Sequence, residues 1–187
     1  MTGHSRGSGN PPAAGKPWIP AFAGMTNRVM RRFLFWLGLS GLIIVLDQLT
    51  KFWVVSALKL GQSIELTSFF NLVFVYNAGA AFSFLSDAGG WQRWFFVVLA
   101  LAVSGWLTLL IRQHASERML PLAAALILGG ALGNVIDRIR FGAVVDFLDV
   151  HAAGWHWPAF NVADSAISAG VVLLILQQLF FSSSVKK

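Results

Sequence analysis

Gly133–Ser165 reads GNVIDRIRFGAVVDFLDVHAAGWHWPAFNVADS and holds Asp137, Asp146, Asp149 and Asp164, half of the eight acidic residues in the chain. It also holds two amides, Asn134 and Asn161, and two arginines, Arg138 and Arg140. The sequence on either side is almost wholly apolar. A charge at the bilayer centre costs about 3 kcal/mol or more, so acids confined between apolar runs need a partner or a task. Two carboxylates brought together share one proton, and such a pair can activate a water molecule. Whether these acids meet depends on how often the flanking runs cross a membrane.

Of 187 residues, 56% are hydrophobic and 12% charged, and the mean hydropathy is +0.67. A soluble domain carries about twice that share of charge. The expected fold is an α-helical integral membrane protein with four transmembrane helices, at about residues 33–56, 91–111, 120–138 and 160–181. The net charge of +6 flanks the apolar runs and forms no stripe, so it speaks of membrane orientation and not of nucleic acid. The absence of Cys excludes disulfides, thiolate metal sites and a cysteine nucleophile.

Outward from the central stretch, the first span follows Arg28, Arg31 and Arg32. Near its far end Asp47 and Lys51, four apart, share a helix face and can pair. At 1.5 Å per residue Asp47 lies roughly 22 Å above Arg32, close to the outer edge of a ~30 Å core. Residues 57–90 are too polar to span. Within them Ile64–Tyr76 is rich in β-branched and aromatic residues and predicts one or two short strands, a small extracytoplasmic β-rich cradle. Asn77-Ala78-Gly79 predicts a turn, followed by the apolar Ala80–Leu85. In the third span Gly129 and Gly133 let a neighbouring helix approach closely, and Asn134, Asp137 and Arg138 share the face of its last turn. Residues 139–159 read as a loop, with Asp149 facing solvent. Asn161 and Asp164 open the fourth span.

Residues 1–29 read as a disordered extension rich in Gly, Pro, Ser and Ala, with Met30 the expected first residue of the working unit, 30–181. Ala21-Phe22-Ala23 looks like a signal-peptidase cleavage triplet, but no apolar run precedes it, so a cleaved secretory signal is not expected. Residues 182–187 form a tail. With four spans, both tails and the 112–119 loop share one side. That side carries Arg6, Lys16, Arg28, Arg31, Arg32, Arg112, Arg118, Lys186 and Lys187, against Lys51, Lys59, Arg93, Arg138 and Arg140 opposite. The more basic side is expected in the cytoplasm. Asp47, Asp137, Asp146 and Asp164 then converge at one outer level.

Several chemistries close. No GxSxG turn, HExxH or phosphate loop is present. A serine–lysine dyad would need a neutral Lys51, and Asp47 one turn away holds it charged. Asp149, His151 and His156 could serve as metal ligands in principle, but loop residues without a defined ligand spacing make a metal unexpected. Asp146, hemmed by Val145 and Phe147, and Asp164 remain as an aspartic pair. A proton or ion relay through the same acids, as in a small transporter, stays open. The crowding of charge at one end of the spans argues against a path through the membrane.

Four blocks, in order and spacing, resemble the lipoprotein signal peptidase (signal peptidase II) family over Met30 to about Phe181. They are Asp47-Gln48-Leu49-Thr50-Lys51; Tyr76-Asn77-Ala78-Gly79-Ala80-Ala81-Phe82; Gly133-Asn134-Val135-Ile136-Asp137-Arg138 continuing to Val144-Val145-Asp146-Phe147; and Pro158-Ala159-Phe160-Asn161-Val162-Ala163-Asp164. The resemblance implies a multi-pass aspartic endopeptidase of the bacterial inner membrane, with cytoplasmic termini and a site facing the periplasm. It implies cleavage of diacylglyceryl-modified prolipoproteins before the lipidated cysteine. It maps the catalytic aspartates onto Asp146 and Asp164, and the supporting residues onto Asp47, Lys51, Asn77, Gly79, Asn134, Asp137, Arg138 and Asn161. It implies no cofactor or metal. Membrane lipids are expected neighbours, nucleic acid is not, and the chain is expected to act as a monomer. The acyl chains are expected between lipid-facing helices, with Gly129, Gly133 and Ala163 either making room for them or packing helices together.

Overall fold

The computed structural model describes residues 20–79 and 89–180, with side chains described from Asn27 onward. Residues 1–19, the Ala80–Leu85 run and the tail with Lys186 and Lys187 lie outside the described residues. In chain order the elements are α1 (Pro20–Ala57), β1 (Ser63–Thr67), β2 (Phe70–Asn77), α2 (Gln92–Gln113), α3 (Met119–Phe141), β3 (Val144–Ala152), β4 (Trp155–His156) and α4 (Val162–Phe180). Among the described residues, four helices are long and apolar enough to cross a membrane: Asn27–Ala57, α2, α3 and α4. Their bounds agree with the expected spans to within a few residues, except at the start of α1. Residues 20–29, expected to be irregular, are helical. Pro20 opens the helix where no amide hydrogen is needed, and Ala, Met and Arg carry it into the apolar run.

The sheet is antiparallel, in the order β1-β2-β3-β4. β1 and β2 fall within the stretch that predicted them. β3 and β4 do not: the segment read as a loop from 139 to 159 first extends α3 to Phe141 and then forms a strand of nine residues. Gly142, at φ 82°, makes the turn between them, and its N–H donates to the Arg138 carbonyl at 3.0 Å. A left-handed residue after the last helical turn is where glycine is least strained. β3 pairs with β2, setting Val75 opposite Asp146 and Asn77 opposite Val144.

α3 is the hub and packs on α1, α2 and α4. Its glycines are the reason. A Cβ on Gly129 would lie 2.8 Å from the Ser40 carbonyl oxygen of α1, and one on Gly170 of α4 2.7 Å from the Ala123 carbonyl oxygen. A Cβ on Gly133 would come within 2.7 Å of Asp47 Oδ2, and one on Gly130 would strike the Ala163 carbonyl oxygen. Ala163 itself is fully buried. Gly129, Gly133 and Ala163 therefore close helix contacts and leave no room there for acyl chains. At the sheet end, Val54 and Leu58 of α1 pack with Phe74, Val145 and Phe147. Alternate residues of a strand point to opposite faces. Burying Val145 and Phe147 in that cluster turns Asp146 the other way, toward the ends of α3 and α4.

Gly130→Ala should therefore overpack the α3–α4 contact and destabilise the protein by about 1–3 kcal/mol. A thermal unfolding scan in detergent micelles checks this; a melting temperature equal to wild type would show that α4 shifts without penalty.

Candidate active site

The site grows from the end of α1. Lys51, 3% exposed, meets Asp47 Oδ2 at 2.9 Å and Asp137 Oδ2 at 2.8 Å, and donates to Asn134 Oδ1 at 3.0 Å. The Asp47–Lys51 spacing predicted the first contact. The others exist because α3 packs on α1. Asp47 Oδ1 also accepts the Ala163 N–H at 2.9 Å, so an α1 carboxylate satisfies a backbone donor in the first turn of α4. Asp137 Oδ2 accepts the Val145 N–H at 3.1 Å, which ties the start of β3 to α3.

Asn161 caps α4. Its Oδ1 accepts the Asp164 N–H at 2.9 Å. That contact fixes the sense of the amide, so Nδ2 faces inward and donates to Asp146 Oδ1 at 2.7 Å and to the Val145 carbonyl at 3.2 Å. The Asn134 amide is fixed in the same way. Lys51 can only donate, so Asn134 presents its oxygen to the ammonium and its Nδ2 to Asp164 Oδ1, at 2.8 Å. Asn77, at the end of β2, donates to Asp146 Oδ2 at 3.1 Å, and its Oδ1 accepts the Gly79 N–H at 3.0 Å. Arg138 Nη2 donates to the Gly79 carbonyl at 2.9 Å, and its guanidinium lies 5.0 Å from the centroid of the Phe96 ring. The ten residues singled out in the sequence thus form one connected cluster at one end of the bundle.

Asp146 is 2% exposed. Burial, and next the charge of Asp164, push its carboxyl up to about 7, against the hydrogen bonds from Asn77 and Asn161. Two neighbouring carboxyls that held one proton between them could take a proton from water on one side and give one to a carbonyl on the other.

Sequence reasoning placed Asp149 in solvent; the strand buries it instead. Desolvation would raise its carboxyl, but His156 Nδ1 at 2.9 Å and Asn71 Nδ2 at 2.8 Å hold it below the ordinary carboxylate range. His156 stacks on His151 with ring centroids 4.8 Å apart. It missed other contacts too: the N–H groups of Ala163 and Val145, and the Gln48 carboxamide, which sits among the Lys51 counter-ions. Gln48 and Lys51, three apart on one helix, were the available signal for the last.

Two carboxylates linked through one asparagine at the end of a membrane helix bundle suit an aspartic peptidase, and the comparisons fall within that class. A family model described as Signal peptidase (SPase) II matches residues 39–180. The chain belongs to that family of aspartic peptidases. It is similar to the lipoprotein signal peptidase of Janthinobacterium sp. (strain Marseille), 54% identical over 144 residues, which are 77% of this chain and 87% of the relative. The lipoprotein signal peptidase of Azoarcus sp. (strain BH72) is 54% identical over 160 residues, 86% of each chain. A solved bacterial membrane enzyme, determined by the in meso method, superposes with a TM-score of 0.72 at 33% identity, covering 82% of this chain and 92% of that one. Nothing in these relatives supports the transporter alternative.

Two predictions follow from the charges. Lys51→Met leaves Asp47 and Asp137 buried without their cation and should destabilise by about 3–5 kcal/mol, read as a lowered melting temperature in micelles. The raised carboxyl of Asp146 makes the folded state bind its proton more tightly than the unfolded chain, whose value is near 3.8. Its contribution to stability is full below that value and lost as pH rises through about 7. The melting temperature of wild type should therefore fall more steeply between about pH 4 and 7 than that of Asp146→Asn, which carries no such proton. Parallel pH curves for the two proteins would contradict the shift.

Proposed function

We propose that the chain cuts diacylglyceryl-modified prolipoproteins immediately before the lipidated cysteine, with Asp146 and Asp164 as the catalytic pair. The observation that carries this reading is the single residue Asn161, which donates to one aspartate and accepts the backbone N–H of the other. It holds the two acids in one frame. In the reaction, the ionised member takes a proton from water, and the oxygen of that water bonds to the scissile carbonyl carbon. The protonated member gives its proton to the carbonyl oxygen. Collapse of the resulting diol breaks the C–N bond as the cysteine nitrogen receives a proton. The signal peptide leaves as a carboxylate and the mature chain with a free amine on its lipidated cysteine.

Asp47, Lys51, Asn77, Gly79, Asn134, Asp137, Arg138 and Asn161 are the supporting set in this reading, and residues 30–181 are the peptidase unit. Arg138 Nε is buried with no partner among the described residues, a donor in reach of the site. The chain is a bacterial inner-membrane protein. The basic residues around Arg28–Arg32 and in the 112–119 loop support cytoplasmic termini and a site at the outer face. A lipid-anchored substrate presents its scissile bond at that same level.

Asp146→Asn and Asp164→Asn should each abolish cleavage of a purified diacylglyceryl-prolipoprotein, scored by gel shift, while remaining in the membrane. Either variant turning over near the wild-type rate would remove the pair. The log of kcat/KM for wild type should decline above about pH 7, as the shared proton is lost.

A further inference from the structure

Gln48 is absent from the catalytic reading, yet its one carboxamide nitrogen meets three acceptors. Nε2 lies 2.9 Å from Asp137 Oδ1, 3.2 Å from Asp47 Oδ2 and 3.3 Å from the Gly133 carbonyl oxygen. Two carboxylates and a carbonyl can only accept, so the donor end of the amide must face them. The position has a consequence at the dyad through Asp137. Its Oδ2 receives both Lys51 Nζ and the Val145 N–H, while its Oδ1 receives Gln48. From Lys51 the path runs through Asn134 to Asp164, and from Val145 it runs one residue along β3 to Asp146. One carboxylate plane therefore sets the placement of both aspartates, and Gln48 holds that plane against rotation.

We propose that Gln48 is a positioning residue for catalysis, acting through the Asp137 carboxylate to align Asp146 with Asp164. The proposal rests on the reading of those two as the catalytic pair. Acting through Asp137 and not on substrate, Gln48 should show its loss in kcat and leave KM within about twofold. Gln48→Met keeps the length of the side chain and deletes the donor. The expected fall in kcat is about tenfold to a hundredfold, the range for a hydrogen bond to a charged group.

Gln48→Glu gives a second readout that a merely structural role would not move. The new carboxylate would face Asp47 of α1 and Asp137 of α3, with Lys51 bridging those two and Arg138 of α3, Asp146 of β3 and Asp164 of α4 beyond them. At alkaline pH it is a third anion around one ammonium. Once it takes up a proton, its O–H replaces the lost N–H donor. The ratio of Gln48→Glu to wild-type kcat should therefore rise about tenfold between pH 8 and pH 5, toward unity. Within one preparation this ratio is read independently of how well Gln48→Met folds.

The experiment is steady-state cleavage of a diacylglyceryl-prolipoprotein by wild type, Gln48→Met, Gln48→Glu and Asp146→Asn across that pH range. A depressed kcat for Gln48→Met with a rising Gln48→Glu ratio supports the assignment. Wild-type kcat in Gln48→Met, or a flat Gln48→Glu ratio, while Asp146→Asn stays inactive, overturns the role of Gln48 alone. Cleavage by Asp146→Asn overturns the catalytic pair and the role of Gln48 with it.

Discussion

A single buried ammonium has to be balanced before this fold can close. Lys51 is 3% exposed, Asp47 0% and Asp137 1%. Any one of these charges alone at that depth would be strongly destabilising; together, with Asn134 and Gln48 filling the remaining hydrogen-bond positions, they offset one another. The cluster does more than neutralise. Asp47 reaches the first turn of α4 through the Ala163 N–H, and Asp137 reaches the first residues of β3 through the Val145 N–H. The two elements that carry the aspartates are each attached to the ion cluster by a backbone donor. Since a carboxylate accepts from several donors at once, the cluster can serve as a joint for three helices and a strand.

The same economy of charge surrounds Asp146 and Asp164. Their near donors are the amides of Asn77, Asn134 and Asn161. A cation in those positions would hold both aspartates ionised and leave no proton to give. A neutral amide steadies a carboxylate and still permits a shared proton. Lys51 stands behind Asn134, and its charge, shared with Asp47 and Asp137, works against the rise at Asp146 without cancelling it. Burial and like charge can then push Asp146 up to about 7, where it exchanges protons near neutrality.

Different parts of this structure were legible in the sequence to different degrees. The spans declared themselves because each needs about 20 apolar residues and few competing patterns supply them. Asp47 and Lys51 could be paired from spacing alone, because helical periodicity is local. The meeting of Lys51 with Asp137 and Asn134 could not, since it depends on how α3 rolls against α1, and the glycines that set the approach reveal only that some neighbour comes close. β3 was hidden for another reason. Val144–Val150 has the composition of a strand, but Asp146 and Asp149 break its apolar run, and both are buried by partners on other elements of the fold. Asp149 looked like a solvent-facing acid because nothing nearby in the chain announces Asn71 or His156.

The placement of the cluster at one end of the bundle suits the hydrolysis proposed for it. Hydrolysis needs water, and the hydrocarbon core offers none. A site at mid-span would also have to bury the charges of Asp47, Lys51, Asp137 and Arg138 where lipid contacts give them nothing in return. Set at the rim, the ion cluster draws on backbone N–H groups at the first turn of α4 and the start of β3, which a helix interior has already committed to its own hydrogen bonds. The sheet completes the arrangement. By packing Val145 and Phe147 against Val54, Leu58 and Phe74, it turns Asp146, which lies between them in the strand, to Asn161 at the start of α4. An all-helical rim could not do this as economically, because a strand alternates its faces at every residue and so can bury two anchors and present the acid between them.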